Sequence, residues 1–121
     1  MGFVNEKAAD GKWQTIDKAR NIILTKVSGP DQEGFYSCEL EIEGKSVKFF
    51  GVSGMKIHGE PQLVPRRYEL NWKFHKLYIH EDIQMSREEV KAVIAEALTV
   101  YGDSFNTEKA ASVSVEFYPN A

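Results

Sequence analysis

Few groups in these 121 residues have the capacity for chemistry: three histidines at His58, His75 and His80, the single cysteine Cys38, the pair Glu81-Asp82, and carboxylates at the alternate positions Glu39, Glu41 and Glu43. Imidazole, thiolate and carboxylate are the ligands a transition metal takes. His75 and His80 are five residues apart, which on a regular strand sends them to opposite faces, and no pair here has the spacing of a helical or knuckle zinc site. The sequence therefore points to no metal and no cofactor. A thiolate nucleophile needs an imidazole or a cation beside it. Cys38, however, alternates with Tyr36, Leu40 and Ile42, which places it on the core side of a strand as a small buried apolar group.

The carboxylates of Glu39, Glu41 and Glu43 share one strand face in this reading. Paired carboxylates can do acid-base work, but a row of like charges on a solvated sheet face also steers a basic partner, and that is the expectation we attach to it. The segment from Arg66 to Lys76 interleaves cations with aromatic rings. A strand that binds nucleic acid needs rings and cations on the same accessible face, whereas alternation puts Tyr68, Trp72 and Phe74 opposite Arg67, Lys73 and His75. No dinucleotide fingerprint, phosphate loop, nucleophile elbow or HExxH helix is present, and no catalytic residue is assigned.

The elements that must carry these groups are legible from periodicity. Ser86 to Gly102 reads as a helix: Ser86 and Glu89 make a capping box, Val90, Val93, Ile94, Ala97, Leu98 and Tyr101 form one apolar stripe, and Gly102 is placed to close the last turn in a left-handed conformation. Strands are predicted over Trp13 to Ile16, Ile22 to Val27, Phe35 to Glu43, Ser46 to Phe50, Arg67 to His80 and Val113 to Phe117, with a bulge or sharp coil of the sheet at Gly51 to Gly54 after which Met55 to Ile57 continues the fourth strand. A hairpin turn is predicted at Gly44-Lys45. Irregular segments are predicted from His58 to Pro65 and from Phe105 to Lys109. In the long Arg67 to His80 strand the apolar phase slips from even to odd positions, which predicts a bulge near His75-Lys76 that returns Leu77 and Ile79 to the core side. Phe49 and Phe50 cannot both point inward from one regular strand.

The expected fold is α+β: one domain over residues 1–121, a single helix packed on a curved, mostly antiparallel sheet of five to six strands in the order β-β-β-β-β-α-β, with residues 1–11 flexible. The 42% hydrophobic and 27% charged fractions belong to an ordinary globular chain. The absence of a long apolar run and of an apolar N-terminal core gives the expectation of a cytoplasmic protein with no membrane partner. A formal charge of −3 supplies no bulk attraction to nucleic acid.

The functional expectation is a non-enzymatic interaction module of inhibitor or adaptor type that binds another protein or itself, with Glu39, Glu41 and Glu43 as the partner-binding residues. The alternative is a small-ligand or enzyme cavity beneath the helix, between Tyr68, Trp72 and Phe74 on the sheet and Ile94, Leu98 and Tyr101 on the helix.

Overall fold

Ser86 caps its helix as the sequence requires. In the computed structural model its hydroxyl accepts a hydrogen bond from the Glu89 amide at 3.1 Å, and the Glu89 carboxylate accepts one from the Ser86 amide at 3.4 Å. The helix α1 (Arg87–Asp103) then buries Val90, Val93, Ile94, Ala97 and Leu98 along one side. Gly102 does not close it in a left-handed turn. It lies buried within the last helical turn, where a Cβ would stand 2.9 Å from Val113 Cγ2, so its missing side chain lets the helix approach the sheet.

The structure describes residues 2–58, 67–103 and 110–121, with the backbone alone at positions 57, 58, 67, 68, 110 and 111. Most of the irregular segment expected from His58 to Pro65, and the connector expected from Phe105 to Lys109, lie outside the described residues.

Among the described residues seven strands form one sheet: β1 (Val4–Lys7), β2 (Trp13–Asp17), β3 (Ile22–Ser28), β4 (Phe35–Ile42), β5 (Lys45–His58), β6 (Arg67–Ile79) and β7 (Ala110–Phe117), side by side in chain order. Neighbours from β1 to β6 pair antiparallel, and β6 pairs with β7 in parallel. A parallel pair needs a crossover connection, and α1 lies within that connection. The sheet is therefore mixed, and its seven strands exceed the five to six expected. The additional strand is β1, within the 1–11 segment for which the sequence analysis places no element. Val4-Asn5-Glu6-Lys7 has no apolar alternation, and it is held by its ladder to Trp13–Ile16 and by the buried ring of Phe3 just before it.

Two local details set which side chains face where. The β4–β5 turn is Glu43-Gly44, with φ of 51° and 80° and Ile42 opposite Lys45, one residue earlier than the Gly44-Lys45 turn expected. Both central residues are left-handed, as the mirror-image turns of tight hairpins require. On β6, Lys76 faces Phe50 while Phe74 faces Gly51, so His75 is the extra, unpaired residue of a bulge. That is the phase correction the sequence predicts, and it returns Leu77 to the core.

The sheet curls around α1, because strands near both of its edges meet the helix. On one side the Asn5 amide donates to the Val100 carbonyl at 2.7 Å and Arg20 reaches Glu96 at 3.0 Å. On the other, Val113 of β7 packs on Gly102 and Lys91 Nζ lies 5.5 Å from the centre of the Phe117 ring. Between them Ile22, Leu40, Val47, Phe49 and Phe74 of the concave face and Val90, Ile94 and Leu98 of the helix are fully buried in one cluster.

Candidate binding face on the outer side of the sheet

With the concave face occupied by α1, alternation sends the intervening residues to the convex side. These are Phe35, Ser37, Glu39 and Glu41 on β4, Lys48, Phe50 and Val52 on β5, and Lys73, Lys76 and Tyr78 on β6. The outward set is far from uniformly polar. The rings of Phe50 and Tyr78 meet edge to face at 5.9 Å, and those of Phe35 and His75 at 5.1 Å. Just past β7, the Tyr118 amide donates to the Phe74 carbonyl at 2.8 Å, which brings the Tyr118 ring 6.2 Å from His75 and under Lys73 Nζ at 4.5 Å. Tyr78 is 56% exposed, Tyr118 43% and Phe35 37%. Large aromatic side chains this open, gathered in two ring clusters on a single face, are a feature that binding surfaces share and that scattered surface hydrophobics lack.

The patch is not flat. Phe35, Tyr36, Phe50, His75, Lys76 and Tyr78 contribute to the walls of a hollow of about 300 Å³. The bulge accounts for its shape: an extra residue bends the strand and re-aims its side chain, and here it turns the His75 imidazole toward Phe35. Among the described residues, β5 and β6 together send Lys48, Lys56, Lys73 and Lys76 to this side against one carboxylate, Glu69, which stands opposite Lys56. The flanking strands answer these cations, with Glu39 of β4 in register opposite Lys48 and Glu116 of β7 opposite Lys73.

The residues singled out by sequence are distributed as follows. Glu39 and Glu41 are half-buried on the outer face of β4, and Glu39 stands between Lys26 of β3 and Lys48 of β5 in register. Glu43 occupies the hairpin turn and does not continue their row. Of the residues assigned to a cavity under the helix, Trp72, Phe74, Ile94 and Leu98 belong to the buried cluster, with Trp72 stacked on Phe74 at 5.5 Å. Tyr101 is half-buried and lines a separate hollow of about 180 Å³ with Asn5, Trp13 and Thr15. Tyr68 lies in β6, and its side chain is outside the described residues.

Cys38 faces inward, 2% exposed, and burial pushes its thiol up to about 12. His75 is on the opposite face of the sheet, and His80 sits in the turn after β6, its Nδ1 accepting a hydrogen bond from the Asp82 amide at 3.1 Å. The thiol and these two imidazoles therefore do not converge. Among the described residues no group of three or more histidine, cysteine, aspartate or glutamate side chains is gathered as a metal site would need.

Sequence reasoning missed the outer aromatic patch, although a signal was present. Phe35 and Tyr78 fall in the polar phase of their strands once the slip at His75 is applied, and the Phe49-Phe50 pair obliges one ring to point outward. Comparison of the chain with family models, with curated proteins and with solved structures gave no match in any of the three.

Proposed function

We propose that this chain is a non-enzymatic protein-binding module that docks its partner on the outer face of β4, β5 and β6. The observation that carries the reading is the set Phe35, Phe50, His75, Tyr78 and Tyr118 on a sheet face away from the helix, where Phe50 meets Tyr78 and His75 meets both Phe35 and Tyr118. Tyrosine and phenylalanine bring large contact area at low entropic cost and are enriched at the centres of interfaces. The separation of Cys38 from His75 and His80 favours binding over nucleophilic chemistry, since no thiol–imidazole pair is assembled from them.

The test is capture from the native host on the immobilised chain, run side by side with a Phe50→Ser/Tyr78→Ser variant whose thermal unfolding matches the parent. A partner retained by the parent and lost by the variant is the expected result. Equal retention by both overturns the assignment of the face. Sedimentation of the free chain distinguishes a second copy as partner, because a dimer would be dispersed by the same two substitutions.

A further inference from the structure

We infer that the hollow between Trp13 of β2 and Tyr101 of α1 is a binding site for a small neutral ring compound that carries an N–H or O–H donor, of the indole or phenol class. The site belongs to the concave side of the sheet, opposite the docking face, and stands independently of that reading.

The hydrogen bonds already made by the wall define what it can still accept. The Asn5 side-chain amide donates to the Val100 carbonyl at 2.7 Å. That partner can only accept, which fixes the amide nitrogen toward the helix and the amide oxygen toward Thr15. An amide oxygen cannot donate, so the Thr15 hydroxyl gives its one proton to Asn5 at 2.6 Å. Thr25, also on the wall, gives its proton to the Glu39 carbonyl at 3.1 Å. Both threonine hydroxyls are therefore left with lone pairs alone for a guest. Thr15 is 4% exposed, and in so dry a setting a guest that offers it a proton is favoured over one that does not.

Size and polarity narrow the guest further. Alternation turns Asn5, Trp13 and Thr15 inward and Gln14 outward, and it places Lys26 outward opposite Glu39. Leu24, Val27 and Tyr101 complete the inward wall, which thus carries no charged side chain. A neutral molecule fits that lining. Lys7 Nζ, 5.6 Å from the centre of the Trp13 ring, opposes a cationic one. The volume of about 180 Å³ is somewhat more than the roughly 150 Å³ of an apolar cavity that takes up benzene, which leaves room for one ring or two fused rings.

Trp13 is the residue for which the fold itself gives no use. It is 65% exposed, although Thr15 and Asp17 in the same phase of β2 are buried. An indole left open beside a hollow offers a guest large apolar contact.

The experiment is calorimetric titration of the full chain with two pairs of isomers, 3-methylindole with 1-methylindole and 4-methylphenol with anisole. Within each pair the size is equal and only the first compound keeps the donor. Saturable binding of both donors, roughly tenfold or more tighter than their isomers, is the expected result. Trp13→Ser, a change at an exposed side chain, should weaken all four, while Phe50→Ser/Tyr78→Ser should bind them as the parent does. Thr15→Val should erase the preference for the donors, and the isomer pairs ask the same question without touching the fold. No saturable binding of either donor overturns the site, and equal affinity within each pair overturns its donor-accepting chemistry. Binding that survives Trp13→Ser but is lost in Phe50→Ser/Tyr78→Ser puts the probes on the outer face and also overturns the inference. A failed capture of a protein partner on that outer face leaves this site standing.

Discussion

The ring of Phe35 meets the imidazole of His75 edge-on, with centroids 5.1 Å apart and planes inclined by 66°. The two residues come from strands that are not neighbours, since β5 lies between β4 and β6. Phe35 stands opposite Val52 of β5, and its ring reaches the imidazole across that strand because His75 is the inserted residue of a bulge. The bulge serves the fold on the inner side and the candidate binding face on the outer side.

Deleting His75 removes the bulge and leaves a regular strand. Leu77 and Ile79 would then share the outward phase or force Trp72 and Phe74 into it, because a one-residue slip exchanges the two faces. The expected loss is about 5 kcal/mol or more, given roughly 1.5–3 kcal/mol for each large apolar side chain exposed. Far-ultraviolet circular dichroism and a denaturant titration would show an unfolded or molten chain. His75→Ala, which keeps the residue count, should cost about 1 kcal/mol.

Gly51 faces inward opposite Phe74, and a Cβ there would overlap the Lys73 carbonyl oxygen and lie 2.7 Å from Phe74 Cα. Both are backbone atoms in the middle of the sheet, so they cannot swing aside as a side chain would. Gly51→Ala should therefore destabilise by about 3 kcal/mol, the upper range for overpacking. Gly54→Ala, with nothing within 4 Å of the added methyl, is the control that should stay near the parent midpoint.

Asp17 is 1% exposed, and its carboxyl is held below the ordinary 3.8 chiefly by the hydrogen bond from Arg20, against the opposing effect of burial. The ionised form is thus favoured more in the folded chain than in the unfolded one. The stability it contributes is complete above 3.8 and is lost as pH falls through the lower folded value. Melting temperature followed from neutral pH into acid should drop below that point, and Asp17→Asn should lower the neutral plateau and flatten the acid limb. An Asp17→Asn profile parallel to the parent's would exclude this residue as the source. Arg20 also bridges to Glu96 at 3.0 Å, so the substitution should loosen the β2–β3 turn from α1.

Cys38 is buried, and its thiol is pushed up to about 12 from 9.0 by desolvation. A thiol reagent at about pH 8 should label it only after denaturant is added, because the thiolate is the reactive form. The folded value lies above the unfolded one, so its contribution to stability is complete below 9.0 and is lost as pH rises toward 12. Rapid labelling of the native chain would contradict the burial.

The sequence by itself determined the helix, its Ser86 cap, its buried stripe, the inward placement of Cys38, Leu40 and Ile42, and the phase slip at His75. Each of these is written within one element, where spacing of 3.6 or 2 residues decides which side is apolar. What only the tertiary structure decided depends on neighbours remote in the chain. Val4–Lys7 is a strand because β2 offers it a ladder, and Gly102 is a close-approach residue because Val113 crosses there. The outward rings become a face in the same way: Phe35, Phe50, Tyr78 and Tyr118 stand apart in sequence, each an isolated apolar residue in a polar phase. Pairing of β4, β5 and β6 in register, with a bulge at His75 and Tyr118 tied to Phe74, brings them onto one face, and no periodicity along one strand can encode a grouping made across several.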